Sequence, residues 1–324
     1  MHTVDELNGI INKAISEIVF EKEGNKLFEP VQYIMAIGGK RFRPVMTLMA
    51  CNLYRDDIDS AILPAVGLEI FHNFTLVHDD IMDKASVRRG SATVHEKWDF
   101  NQAILSGDVM AFIANQFISQ SPDNILREVI KVFNKTAIDV CRGQQLDMDF
   151  ESRISVSKQE YMRMVELKTA VLIATALKIG GLIGGADEKD AEYLYSYGNN
   201  LGLAFQVQDD MLDAFGDPQV FGKKIGGDII SNKKTILLIK ALELATGNQL
   251  TVLHDQLAMT EFEPEEKISR VKAIFMELKV EEYAKKLASE LIAKAYSSLE
   301  HLSVDSARKN LLKNFTSEMA GRTR

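Results

Sequence analysis

The sequence predicts an all-α protein, and three observations carry that expectation. Proline is scarce, with six in 324 residues. Strict alternation of apolar and polar residues, the mark of a half-buried strand, is nearly absent. Apolar residues instead recur three and four positions apart over long stretches. Pro30, Pro44, Pro64, Pro122, Pro218 and Pro264 fall near expected helix starts or connections, and the pairs Gly38-Gly39, Gly184-Gly185 and Gly226-Gly227 add stops and turns. These divide the chain into roughly ten or more helices. No linker rich in Pro, Gly or Ser interrupts it, so a single large helical domain over residues 1–324 is expected, with 46% hydrophobic residues to fill its core.

Taken in order, the N-terminal MHTVDELNGIINKAISEIVFEKEG alternates apolar and charged residues at helical spacing. It lacks a basic region followed by a long apolar run, so it is expected to be an ordinary amphipathic helix, not a signal peptide. The most apolar window, TAVLIATALKIGGLIGGA at 169–186, is broken by Lys178 and four glycines and is expected to be a buried core helix, not a membrane span. The tail over 264–302 carries mixed charges on presumed outer faces and predicts structural helices without chemistry. Cys51 and Cys141 are the two cysteines, expected to be buried core thiols in a reducing cytoplasm. A net charge of −8 argues against general nucleic-acid binding, so an anionic ligand needs a local basic cluster.

The chemistry concentrates in an internal echo. LVHDDIMD at 76–83 recurs in form as FQVQDDMLD at 205–213. On a helix, Asp79 and Asp83 share a face, as do Asp209 and Asp213, with Asp80 and Asp210 flanking them. Carboxylates in apolar surroundings repel one another and lose hydration, so a positive partner is required. Oxygen ligands without cysteine or paired histidine select hard cations, and Mg²⁺ binds through one or two carboxylates while sharing phosphates and water. Two clusters on facing helices would hold Mg²⁺ and a diphosphate. Lys40, Arg41 and Arg43 in GGKRFRP, Arg88 and Arg89 after the first cluster, and Lys223, Lys224, Lys233 and Lys234 after the second offer donors suited to phosphates. No GxxxxGK[ST] loop occurs, so the phosphates need not belong to a nucleotide. In ELKTAVL, Lys168 and Thr169 stand at the head of the apolar window, which suits a substrate with a charged head and an apolar tail.

GGKRFRP, HNFTLVHDDIMD, RRG, GQQLD, LKTA, FQVQDDMLD, GKKIGGDI and NK, in that order from Gly38, resemble the trans-isoprenyl diphosphate synthases of the polyprenyl synthetase family. The resemblance implies an all-α bundle around a central cavity, usually a homodimer, that condenses an allylic diphosphate with isopentenyl diphosphate using three Mg²⁺. It implies Asp79, Asp83 and Asp209 as direct metal ligands, with Asp213, Asp80 and Asp210 supporting them. Lys40, Arg43, His72 and Arg89 would hold isopentenyl diphosphate; Arg88, Lys168, Lys224 and Lys233 would hold the allylic diphosphate. Lys223 remains an alternative to Lys224. Gln144 and Gln206 would line the allylic side, Asp147 would orient basic neighbours, and Thr169 and Gln206 would present oxygen dipoles to the allylic cation. Phe74 lies ~7.5 Å and Phe71 ~12 Å along the helix from Asp79. With Thr75, an aromatic at the Phe74 position resembles short-chain synthases, geranylgeranyl (C20) first and farnesyl (C15) next. His78 is expected to pack or hydrogen-bond, and His95 to lie on a surface or loop. The alternatives are a terpene cyclase, a non-catalytic subunit of a heteromeric synthase, or a di-iron bundle built on Glu69 and His72.

Overall fold

The computed structural model describes residues 1–20, 26–216 and 225–320 and is almost wholly helical. Pro218, Lys223 and Lys224 lie outside the described residues. The elements are α1 (Val4–Ser16), α2 (Glu29–Ala36), α3 (Phe42–Asn52), α4 (Asp59–Met82), a hairpin of β1 (Val87–Arg88) and β2 (Ser91–Ala92), α5 (Val94–Lys97), α6 (Phe100–Ile118), α7 (Asp123–Glu151) and α8 (Lys158–Val165). A π-helical turn (Glu166–Ala170) leads into α9 (Val171–Gly184), followed by α10 (Glu188–Phe215), α11 (Gly227–Ile230), α12 (Ile236–Leu244), α13 (Gly247–Ala258), α14 (Pro264–Glu277), α15 (Val280–Glu300) and α16 (Ser306–Ala320).

Chain contacts divide the molecule into two compact units, Met1–Lys135 with Ile173–Tyr195 and His301–Leu312, and Thr136–Leu172 with Ser196–Glu300 and Lys313–Arg324. In the first, α1 starts with a reciprocal cap between Thr3 and Glu6 and buries Leu7 and Ile11, as its amphipathic pattern predicts. α4 packs on α3 and α6. α9 approaches α3 so closely that a Cβ at Gly180 would lie 2.0 Å from the Thr47 carbonyl oxygen. In the second, Phe150, Tyr161, Val207, Met211, Leu237, Leu253, Phe275 and Leu287 belong to one apolar core.

Among the described residues, two helical stretches, Asp59–Met82 and Lys158–Gly184, are long and apolar enough to cross a membrane, yet most of the apolar window in each is buried within the protein. The apolar window at 169–186 is thus core helix, as expected. Four expectations need correction. Pro64 lies inside α4, not at its start, and leaves the Ser60 carbonyl without its usual helical donor. Cys141 is exposed on α7, while Cys51 is buried; neither is in a disulfide. His95 is buried, with its ring stacked on Phe100 at 5.1 Å. Lys267, in the tail assigned outward-facing charges, is also buried.

Candidate active site

In the first unit, α4 carries the first aspartate set to its C-terminal end. Asp79 is half-buried, Asp80 buried, and Asp83 exposed, with the Asp83 N–H donating to the Asp79 carbonyl at 2.8 Å. Arg88 Nε donates to Asp80 Oδ1 at 3.0 Å, and its second nitrogen donates to the same oxygen. Asp80 is therefore committed to holding a guanidinium, and burial still raises its pKa. Arg88 is placed by the hairpin, whose two turn residues, Arg89 and Gly90, both have positive φ, at 51° and 77°. Arg89 reaches back to donate to the Gly38 carbonyl. A Cβ at Gly39, where φ is 145°, would lie 2.8 Å from the Arg89 guanidinium carbon, so this glycine admits the arginine.

Arg41 is a different case from its basic neighbours. It is buried and donates to Glu69 Oε1 at 2.6 Å and to the Met35 carbonyl at 2.6 Å. Glu69 also accepts from Asn73 Nδ2 at 3.1 Å. Glu69 is thus engaged in a buried structural ion pair. Burial brings the Arg43 guanidinium down to about 10, and its buried Nε has no protein acceptor. His72 is held well below the usual imidazole range by burial and by Arg43, Arg89, Arg88 and Arg41. A neutral imidazole among four guanidiniums, one with an unsatisfied N–H, suits a polyanion. Lys40 is exposed at the start of this cluster.

On the same helix, His78 Nε2 makes a 3.1 Å hydrogen bond with the Ile104 carbonyl, a packing role as expected. Its ring meets Phe74 at 4.9 Å between centroids; Phe74 meets Phe71 at 5.3 Å, and Phe71 meets Phe133 at 5.1 Å. Thr75 Oγ1 donates to the His72 carbonyl at 2.8 Å.

In the second unit, Lys168 and Thr169 lie in the π turn. Lys168 Nζ donates to Asp147 Oδ2 at 2.6 Å, the orienting contact expected of Asp147. A Cβ at Gly143 would fall 2.3 Å from the Lys168 backbone nitrogen, so Gly143 lets α7 touch this turn. Gln144, the next residue on α7, is buried. Thr169 Oγ1 donates to Gln206 Oε1 at 3.3 Å, and Gln206 Nε2 donates to Asp210 Oδ1 at 3.0 Å. Asp210 also accepts from Tyr161 Oη at 2.6 Å and from the Ile236 N–H at 3.1 Å. Burial pushes it up to about 6 despite these donors.

Asp209 and Asp213 remain one turn apart on α10. Asp213 Oδ2 accepts the Asp228 N–H at 3.0 Å, which brings α11 to the second cluster. Burial pushes Asp228 up to about 7; Lys233 opposes this, while Asp213, Asp210 and Asp209 add to it. Crowded, mutually repelling carboxylates fit a hard divalent cation. Among the described residues, no three acidic, His or Cys side chains converge tightly enough to hold a metal alone. A divalent cation held there would complete its shell with phosphate and water.

Tyr161 and Asp228 escape pattern reading as individual site residues. Tyr161 stands 49 positions from its carboxylate and outside any short motif. Asp228 could have been flagged by its place after a glycine pair.

A family model, Polyprenyl synthetase, matches residues 25–275. The geranylgeranyl pyrophosphate synthase of Geoglobus acetivorans is 38% identical over 307 residues, 94% of this chain and 93% of that one. The geranylgeranyl diphosphate synthase of Methanosarcina mazei is 40% identical over 248 residues, 75% of this chain and 76% of that one. A crystal structure of a geranylgeranyl pyrophosphate synthase superposes with a TM-score of 0.94 at 43% identity, covering 99% of each chain. With both aspartate sets, the basic cluster and the LKTA turn in place, the chain belongs to the polyprenyl synthetase family and is a prenyltransferase.

Proposed function

We propose that the whole chain works as one Mg²⁺-dependent catalytic domain that condenses isopentenyl diphosphate with allylic diphosphates to a short all-trans product, C20 geranylgeranyl diphosphate first and C15 farnesyl diphosphate next. The observation that carries this reading is the basic cluster around His72, where Arg43 keeps a buried, unsatisfied N–H. Lys40, Arg43, His72 and Arg89 bind isopentenyl diphosphate there. Arg88, Lys168 and Lys233 bind the allylic diphosphate, Lys224 being assigned to the same group by sequence alone. Asp79, Asp83, Asp209 and Asp213 would hold Mg²⁺, three ions per site as the family resemblance implies. When bound, the metal supplies Lewis acidity that neutralises charge on the departing diphosphate.

The chain's own residues do the rest. Arg88 and Lys168, each held by a carboxylate, offer positive charge placed before the carbon–oxygen bond breaks, so little reorganisation is needed during the step. Thr169 and Gln206 turn oxygen dipoles toward the allylic cation, and Asp210 fixes Gln206. Gln144 lines the allylic side. Apolar walls exclude water, which would otherwise capture the cation as an alcohol. The released diphosphate accepts the final proton, so no dedicated base is required.

Phe74, backed by Phe71 and with Thr75 beside it, forms the floor that stops the growing tail. The chain acts in the cytoplasm as a homodimer. On α6, Phe100, Ile104, Leu105 and Phe112 are exposed, Phe112 by 78%, and a second copy covers them. Incubation of the enzyme with Mg²⁺, isopentenyl diphosphate and each of dimethylallyl, geranyl and farnesyl diphosphate, followed by chromatography, tests the function. C20 or C15 products are expected; cyclic hydrocarbons, or products longer than C25, would overturn it.

A further inference from the structure

Lys267, in the second turn of α14, is 1% exposed. A lysine so buried is ordinarily paired with a carboxylate, because an ammonium removed from water loses its hydration. Here its partners among the described residues are neutral. Nζ donates to Asn232 Oδ1 at 2.7 Å and to the Ile230 carbonyl at 3.5 Å, and lies 4.0 Å from the centroid of the Phe262 ring. For stability alone, an apolar side chain of similar length would serve this position better.

What the ammonium grips is the turn after α11. Asn232 has φ 55°, in the left-handed region, and its Nδ2 donates to the Leu257 carbonyl at 3.1 Å, so its side chain is fixed at both ends. The next residue is Lys233, whose N–H donates to the Asp228 carbonyl at 2.9 Å. The same turn runs on to Ile236, whose N–H holds Asp210. Lys267, Asn232, Lys233 and Asp228 line one small cavity. The buried ammonium thus stands directly behind the segment that presents a lysine and a carboxylate to the second aspartate set.

We propose that Lys267 is a positioning residue for allylic-diphosphate binding: through Asn232 it locks the left-handed turn that aims Lys233. The proposal rests on the assignment of Lys233 to the allylic diphosphate. Lys267 touches no substrate, and its effect falls on one of the two diphosphates.

Steady-state kinetics of the full chain, with Mg²⁺, geranyl diphosphate and isopentenyl diphosphate, test it. Lys267→Met should raise the KM for geranyl diphosphate about ten-fold, leave that for isopentenyl diphosphate unchanged, and leave Tm equal or higher. Asn232→Gly, which tolerates the left-handed backbone, should produce the same split, and the double variant should be no worse than either single one. Equal rises in both KM values, no change in either, or additive effects in the double variant would overturn the proposal. If Lys267→Met does not fold, Asn232→Gly is judged by the same KM split. Lys233→Ala separates the two claims. If it raises the geranyl diphosphate KM and Lys267→Met does not, the positioning role is wrong and the assignment of Lys233 stands; if Lys233→Ala leaves that KM unchanged, both fall.

Discussion

Tyr161 donates its hydroxyl to Asp210 at 2.6 Å, both side chains buried and 49 residues apart in sequence. A buried carboxylate stripped of one of its donors keeps its desolvation cost. Tyr161→Phe, which preserves shape, should therefore lower stability by about 1.5–3 kcal/mol, and turnover should drop as Asp210, which holds Gln206, loses one of its own anchors. Urea unfolding and kinetics of the variant measure both; wild-type stability would show that Asp210 is satisfied without the phenol.

Asp79→Ala and Asp209→Ala should leave the fold nearly intact and cut turnover by at least ~10²-fold, since each removes charge stabilisation set in place before the reaction. Near-normal turnover at saturating Mg²⁺ would refute the metal-ligand assignment.

The contact between Gly143 and the Lys168 backbone leaves no room for a methyl group. Because the obstacle is main chain, no side-chain rotation relieves it. Gly143→Ala should cost about 1–3 kcal/mol and raise the allylic KM more than the isopentenyl KM by shifting Lys168 and Thr169. Unchanged melting and kinetics would mean that α7 can retreat freely.

His72 gives a pH dependence of known sign. Its folded-state pKa is depressed well below 6.5 by burial and by Arg43, Arg89, Arg88 and Arg41. Between those two values the unfolded chain binds the extra proton, so stability present above pH 6.5 is lost as pH falls, by at most about 1.4 kcal/mol per unit. His72→Asn should flatten urea midpoints across that window. A slope identical to wild type would exclude His72 as its source.

Phe74→Ala should lengthen products by opening space between Phe71 and His78, and Thr75→Phe should shorten them. Product chromatography decides; unchanged lengths in Phe74→Ala would move the floor elsewhere.

The aspartate sets were legible because carboxylates inside apolar helices have few innocent explanations, and their four-residue spacing places each pair on one helix face. The helices were legible from apolar periodicity for the same local reason. What escaped depends on contacts between distant segments. Nothing near Tyr161 in sequence points to Asp210. Lys267 and Lys286 look alike in a charged tail, yet Lys267 is buried behind Phe262. His95 looked like loop because its neighbours are polar, but stacking on Phe100 covers it. Cys141 looked like core because it sits in a helix-like stretch, but α7 turns it outward.

The π turn at Glu166–Ala170 has a consequence for how the protein breathes. The Val171 N–H reaches back five residues to the Glu166 carbonyl, so the helix holds one residue more per turn there than on either side. Such a turn should act as a soft spot in a helix that is otherwise buried. Amides of 168–171 should exchange with deuterium sooner than those of 172–177, and occupancy by substrate should slow them first. Removing a single residue from the turn would rotate everything beyond it by about 100°, turning buried faces toward water.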